Sequence, residues 1–431
     1  MTMGGRQMLE QTDDWAALSV GQSGEKVKKV KVDALRPGIY VCDLNAGWLD
    51  HPFLFKRFKI KSIAEIEKIR SYGIREVFID TSRGDDVEDA PTAQQVAEET
   101  SRQMRAVIPP AQPSRPRQKT PLAEEIARAR RILDQSAQLL QQVLTDARLG
   151  NPLDLEDLQR SSRDIAASVI RNPSAMALVC QLRQRHEYTF YHSLNVSVLL
   201  TSFSHHLGHE LASTQALALG GLLHDIGKMV VDAAVLNKPG KLSQDEFSHI
   251  KTHVERGMAL VQCYGLPEEA LAVIHEHHER QDGSGYPRAL PLSKTSLAGR
   301  MAAIVDVYDA ISSDRCYHRG LSAPAAMQRI FEWQGHFDEE LVGSFVRTVG
   351  IYPVGSLVRL SSQRLAIVVE HDLFDLLRPK VRVIFDLRRQ AYVTAEDINL
   401  AAPRWAGRES IEGHENPARW QIDIRRHVQV A

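Results

Sequence analysis

The sequence predicts a mainly α-helical protein, with a small α+β domain ahead of the helices and a short β-rich extension behind them. Three observations carry that prediction. Residues 152–350 read as one helical pattern after another, separated by short polar breaks. Residues 26–82 combine period-two alternation with one short helical stretch. From 351 the alternation returns, in "SLVRLSSQRLAIVVE" and "KVRVIFDLRRQAYVT". A chain of 431 residues is long enough for two or three such units, each with a core of its own.

Taken in order, residues 1–25 are polar and read as a loose N-terminus. "KVKKVKVDALRPGIYVCDL" (26–44) alternates and turns at Pro37-Gly38, and "SIAEIEKIRSYGIREVFID" (62–80) gives a helix, a stop at Gly73 and a strand. This 26–82 unit has no ligand cluster or phosphate loop, so it reads as a folded cap. Residues 83–121 lose periodicity: "RGDDVEDAPTAQQ" is acidic and "IPPAQPSRPRQKTP" is rich in proline, which predicts a linker. Leu122, Ile126, Ala129, Leu133, Ser136, Leu140, Val143 and Ala147 then recur at steps of four and three, lining one helix face. That face fits packing on its own domain or a seam between two copies, so a homodimer through 122–147 is one expectation. The helical domain is expected over 122–350 and the β extension over 351–400. Residues 401–431 read as a polar tail.

Composition excludes several classes. A hydrophobic fraction of 43% and a charged fraction of 25% are those of an ordinary globular protein. The net charge of -1 gives no electrostatic case for a nucleic-acid polymer or a membrane. Cys42, Cys180, Cys263 and Cys316 stand far apart with no CxxC pair, which argues against thiolate zinc and a disulfide framework and for a reducing compartment. The N-terminus carries acids where a signal peptide needs a basic and then an apolar run. No apolar stretch approaches the roughly 18 residues of a membrane helix, so the expected address is cytoplasmic.

The chemistry gathers in the histidines. Of 17, 11 lie between His186 and His278. "HDIGK" (224–228) ends an apolar helix on a charged acid, which has little reason to be there without a cation to bind. His192, His224, Asp225, His253, His277, His278 and Asp306 all sit in or beside helical patterns. Five imidazoles and two carboxylates exceed the needs of one ion and match two N/O-ligated ions bridged by a carboxylate. Without cysteine the set favours iron or manganese, and zinc and nickel accept the same ligands. His205, His206 and His209 flank a helix end at Gly208 and suit its dipole. His249 and His275 share the ligand face and read as supporting residues.

These residues stand within "EYTFYHSLNVSVL", "HDIGK", "HVERG", "HHERQDGSGYP", "IVDVYDAISSDRCY" and "FDEELVGSFVRTVGIYPVGS", over about 180–358. In that order they resemble the HD superfamily of metal-dependent phosphohydrolases. "HHERQDGSGYP" resembles the signature of its HD-GYP branch, the cyclic di-GMP phosphodiesterases, and the unit at 26–82 is similar to a small domain that often precedes it. The resemblance implies an all-helical HD-type domain and hydrolysis of cyclic di-GMP to linear pGpG, or onward to GMP, by a hydroxide shared between two divalent ions. It implies the seven residues above as metal ligands, with Asp225 bridging and Lys228 stabilising charge on the phosphoryl oxygens. Tyr286 and Arg315 are expected to contact the substrate. Gly283 and Gly285 are expected to turn the loop, and Pro287 to fix its exit. Glu279, Asp282 and Asp309 are expected to orient the ligands. Cys316 stands where the family usually has proline and His318 where it has a basic residue, which bears on ligand affinity. Some members hold a third metal with a glutamate four residues before the first ligand histidine. Here that position is Tyr188, with Glu187 one step off, so two ions are expected. Two other readings are a phosphodiesterase for cyclic GMP-AMP and a non-catalytic sensor or docking module for a diguanylate cyclase-type partner. The intact ligand set argues for the enzyme.

Overall fold

The computed structural model describes residues 26–45, 57–107, 120–182, 188–236, 238, 242–313, 320–333, 335–372 and 375–428. The chain divides into two compact units, Met1–Gln103 with Ala310–Trp333, and Met104–Asp309 with Gln334–Ala431. The predicted loose N-terminus, Glu187, Arg315, Cys316 and His318 lie outside the described residues.

The first unit is built on a four-stranded antiparallel sheet. β1 (Val27–Lys31), β2 (Tyr40–Asp43), β3 (Phe58–Lys59) and β4 (Glu76–Asp80) stand in the order β1-β4-β2-β3. Val77, Phe78 and Ile79 are all buried, so β4 is covered on both faces. Val77 and Ile79 pack with Ile66 and Ile69 of α1 (Ile63–Ser71). Phe78 packs with Val27, Cys42, Ala93 and Ala325. Ala93 opens α2 (Ala93–Val107), so residues 83–107 are no linker: Lys29 N–H donates to Pro91 O at 2.9 Å, and the Lys28 ammonium meets Asp86 at 2.8 Å and the carbonyls of Val87 and Glu88. The acidic run that looked like spacer is the counter-charge to a strand lysine. Ala325 arrives from far along the chain. The segment around it is tied down by Arg329, which donates to Asp43 and Asn45 at 2.7 Å each, and by the Trp333 indole on Asn45 O at 2.6 Å.

The second unit begins with α3 (Leu122–Leu149), α4 (Glu156–Arg171), α5 (Pro173–Leu182), α6 (Tyr188–His206) and α7 (Leu211–Leu223). The heptad face of α3 is used up inside the chain. Ile126, Ala129, Leu133, Leu140, Val143 and Ala147 are buried in the core with Leu158, Ile165 and Leu178, and Ser136 Oγ bonds Ser161 of α4. The expected dimer seam is thereby corrected to an intramolecular one. α7 is apolar all round and buried from Ala216 to Leu223, as a central helix must be. After α8 (Ala233–Leu236) come α9 (Gln244–Lys251), α10 (His253–Val261), α11 (Glu268–Glu276) and α12 (Leu297–Ser312). α13 (Ala323–Glu332) belongs to the first unit, and α14 (Glu339–Val349) returns to the second.

A five-stranded antiparallel sheet closes the second unit. β5 (Leu357–Leu360), β6 (Arg364–Glu370), β7 (Lys380–Asp386), β8 (Ala391–Asn399) and β9 (Ile411–Glu415) stand in the order β8-β7-β6-β5-β9. One face, with Leu357, Leu365, Ile367 and Ile384, joins the helical core. The other buries Val358, Ala366, Val368, Val381 and Ile398. The predicted polar tail is corrected here: β9 pairs with β5, and Ile422 and Val428 are buried in the helical core. Its few apolar residues are too widely spaced to show a period. Among the described residues no single helix is long and apolar enough to cross a membrane.

Candidate metal centre

The apolar run of α7 ends at Leu223, and His224 and Asp225 follow at once, leading into a 3-10 turn at Ile226–Val230. α6 brings His192, α10 opens with His253, His277 and His278 follow the end of α11, and α12 carries Asp306 and Asp309. All seven expected ligands are buried, none more than 5% exposed. They form two groups of ligating atoms, Asp225, His253, His277 and His278 in one, His192, His224 and Asp306 in the other.

The hydrogen bonds behind the imidazoles set their chemistry. The Nδ1 of His224 lies 2.9 Å from Gly221 O, that of His253 2.8 Å from Ile250 O, and that of His277 3.0 Å from Ile274 O. A carbonyl only accepts, so each Nδ1 donates and the Nε2 side of each ring faces inward. The Nε2 atoms of His253 and His277 then face each other at 3.4 Å, lone pair to lone pair, which calls for a cation. His224 Nε2, His278 Nε2, Asp225 Oδ1 and Asp306 Oδ2 are buried with no hydrogen-bond partner. Buried polar atoms are rarely left so, and here they converge. Asp225 divides its oxygens: Oδ1 lies 3.5 Å from His253 Nε2 and 3.9 Å from His277 Nε2, while Oδ2 lies 3.3 Å from His224 Nε2 and 3.9 Å from His192 Nε2. An all N/O donor set with orphaned lone pairs fits divalent cations.

Electrostatics agree with that fit. Burial and the neighbouring Lys228 ammonium hold His253 down to about 4, and burial holds His277 and His278 well below the usual imidazole range. These rings stay neutral, as ligands must. His192 differs. Burial opposes its charge, yet hydrogen bonds to Asp306 (2.9 Å) and Asp309 (2.7 Å) bring it up to about 9. Burial alone would raise Asp225 and Asp306, but the Lys228 ammonium beside the first and the His192 hydrogen bond on the second hold both well below the carboxylate range. Lys228 Nζ touches Asp225 Oδ2 at 2.5 Å.

The loop after His278 is shaped by contacts that the sequence reading assigned differently. Glu279 accepts the backbone N–H groups of Arg288 (2.9 Å) and Leu290 (2.8 Å), and Asp282 accepts Ser284 N–H and Oγ–H (3.0 and 2.6 Å). Both therefore fold the loop, where the expectation had them orienting metal ligands. Asp309 bonds the His192 ring, and Asn195 holds Asp309 in turn at 3.0 Å. Asn195 was missed, although its position three residues after His192 puts it on the same helix face. Glu276 was missed too. It is buried and takes Arg288 Nη2 at 2.9 Å and Ser296 N–H at 2.8 Å, fastening both ends of the loop. Gly283 has φ +77°, while Gly285 is required by proximity: a Cβ there would lie 2.5 Å from His278 O. Tyr286, joined to Pro287 by a cis peptide bond, stacks its ring on His278 at 4.6 Å and 28°. Gly285 and the Tyr286 N–H, 3.1 Å from His278 O, keep the whole loop against the ligand pair. Among the described residues, His205, His206, His209, His249 and His275 are partly buried and stand outside both groups.

The sequence matches the HD domain family over residues 163–341 and a domain of unknown function, DUF3391, over residues 27–158. It is 38% identical over 400 residues to a cyclic di-GMP phosphodiesterase of Pseudomonas aeruginosa, covering 92% of this chain and 94% of that protein. A 3'3'-cGAMP-specific phosphodiesterase of Vibrio cholerae is 35% identical over 153 residues, 36% of either chain. A solved HDG"Y"P protein from Bdellovibrio bacteriovorus aligns loosely, at TM-score 0.44 and 16% identity over 74% of this chain and 98% of that one.

Proposed function

The chain belongs to the HD-domain family of cyclic di-GMP phosphodiesterases, and from that membership we propose that it hydrolyses cyclic di-GMP to linear pGpG at a centre of two divalent ions. GMP is the product if pGpG is cut again. The observation that carries the reading is Asp225, whose two oxygens face two separate groups of buried imidazoles.

Divalent ions bound there supply Lewis acidity to the phosphoryl oxygens and make water a stronger nucleophile at neutral pH. Iron or manganese suits the thiolate-free donor set, with zinc and nickel as acceptable substitutes. His192, His224, Asp225 and Asp306 would hold one ion, and His253, His277 and His278, with the other Asp225 oxygen, would hold the second. Lys228 is half-buried at the edge of the cluster, where its ammonium can meet charge growing on a phosphoryl oxygen. Removing such a donor costs about 3 kcal/mol of transition-state stabilisation. One face of the Tyr286 ring is covered by His278, which leaves its hydroxyl and its other face for the substrate. Arg315 and a diguanylate cyclase-type partner complete the reading. Four widely spaced cysteines with no CxxC pair suit a reducing cytoplasm.

The test is hydrolysis of cyclic di-GMP by iron- or manganese-loaded protein, with products separated by chromatography and His224→Ala and Asp225→Ala as controls. No product from the loaded wild type, with binding retained, would replace the enzyme by a sensor. The same assay with cyclic GMP-AMP decides between the two substrates.

A further inference from the structure

We propose that Lys251 is a substrate-recognition residue, the cation that meets the second phosphodiester of the cyclic dinucleotide, the one that is not being cleaved. The proposal rests on the phosphodiesterase reading and adds to it a specificity determinant away from the metal ligands.

Lys251 is the last residue of α9, two positions before His253. Its ammonium stands 4.6 Å from the ring centroid of Phe247, one turn back on the same helix, and 5.1 Å from the ring centroid of Tyr286. Tyr286 in turn stacks on His278 at 4.6 Å and sits 6.4 Å from the ring of His253. A Lys ammonium within about 6 Å of an aromatic face is attracted to it. Two such rings fix the end of an otherwise flexible four-carbon stem. They fix it one ring beyond a metal ligand, on the side where the glycine-rich loop approaches. The position is therefore adjacent to the centre without being part of its ligand set.

The charge on the substrate supplies the reason for a cation there. A cyclic dinucleotide has two phosphodiesters, each with one negative charge, on a single closed ring. When one phosphodiester lies on the metal ions beside Lys228, the other is held by the ring a short distance away and must also leave water. Burying that charge needs a counter-charge. Lys228 is committed to the reacting side, 2.5 Å from Asp225. Lys251, anchored through the tyrosine that stacks on His278, is placed for the other. A substrate with one phosphodiester makes no use of it.

The experiment compares cyclic di-GMP with bis(p-nitrophenyl) phosphate, a diester with a single phosphate, on manganese-loaded full-length protein. In Lys251→Met the ratio of kcat/KM for cyclic di-GMP to that for the single diester falls at least 10-fold. The loss appears as a raised KM, and Lys251→Arg restores most of it. Equal losses on both substrates would mean that Lys251 only props Tyr286 and the loop, and would overturn the proposal, as would an unchanged ratio. Wild-type protein that cleaves the single diester but leaves cyclic di-GMP intact would instead bring down the phosphodiesterase reading, and this proposal with it.

Discussion

Substituting Gly227 by alanine tests the centre without touching a ligand. Gly227 lies in the turn after Asp225, directly against the first turn of α10. A Cβ at this position would overlap the His253 carbonyl oxygen and would stand 2.5 Å from Gly257 N and 2.8 Å from the His253 carbonyl carbon. Ordinary contact begins at 3.4 Å, and these are backbone atoms that no rotamer change can move aside. The Asp225 turn and the start of α10 must therefore separate by about 1.5 Å, set by the His253 carbonyl oxygen, which the Cβ would approach to 1.9 Å. Asp225 Oδ1 and His253 Nε2 sit 3.5 Å apart across that junction. A misplacement of about 1 Å costs about 100-fold in rate. Overpacking costs about 1–3 kcal/mol of stability, or a fall in Tm of about 2–12 °C for a unit of this size. The assay is kcat/KM for cyclic di-GMP, read beside bound metal per chain and the melting curve. Gly257→Ala is the control: its Cβ meets Gly227 N at 3.3 Å, and its helix position favours alanine, so activity falls by less than about fivefold. Wild-type metal content with kcat/KM within threefold in Gly227→Ala would refute the reasoning.

Other outcomes follow from the same contacts. Asp309→Ala leaves His192 without its Nδ1 acceptor and weakens metal binding by about 10- to 100-fold, measured by competition with a chelating dye; unchanged affinity would show that Asp309 does not orient the ring. Metal-stripped protein is most stable near pH 6.5. His192 is raised to about 9, so its contribution, on the order of 3 kcal/mol, is complete below pH 6.5 and disappears as pH climbs through 9. His253, His277 and His278 are depressed, so their neutral burial loses stability as pH drops below 6.5. Urea midpoints at pH 5, 6.5 and 9.5 check the shape, and a flat profile from 6.5 to 9.5 contradicts it. Burial, with Asp43 and Asp80 nearby, pushes the Cys42 thiol up to about 12, whereas Cys263 is exposed. Iodoacetamide at pH 8 should mark Cys263 in the native protein and reach Cys42 only after unfolding, as mass spectrometry of peptides would show.

Local pattern carried the sequence reading as far as local pattern extends. The heptad spacing of α3 announced a helix and its buried face, yet periodicity has no information on whether that face meets another helix of the same chain or of a second one. Residues 83–107 and the last strand were misjudged for a related reason. What orders them is remote: Lys28 for the acidic run, β5 for Ile411–Glu415. The residues of the two groups were legible because histidines and acids at helix ends are chemically conspicuous. Their convergence was not, since His192 and Asp306 meet across 114 residues, and only the family resemblance joined them. Gly227, Glu276 and Asn195 escaped notice because their importance is a matter of clearance and of bonds to backbone, which residue type does not display.

The distance along the chain between the two ends of the centre has a consequence during synthesis. His192 emerges from the ribosome 114 residues before Asp306, a wait of about 6–20 s at ordinary elongation rates. Asp225, His253, His277 and His278 have all been synthesised 28 residues before Asp306, counting 306 − 278, yet the core that positions them also takes Leu357, Ile384, Ile422 and Val428. A metal ion therefore meets both groups together, once the C-terminal strands have joined the core.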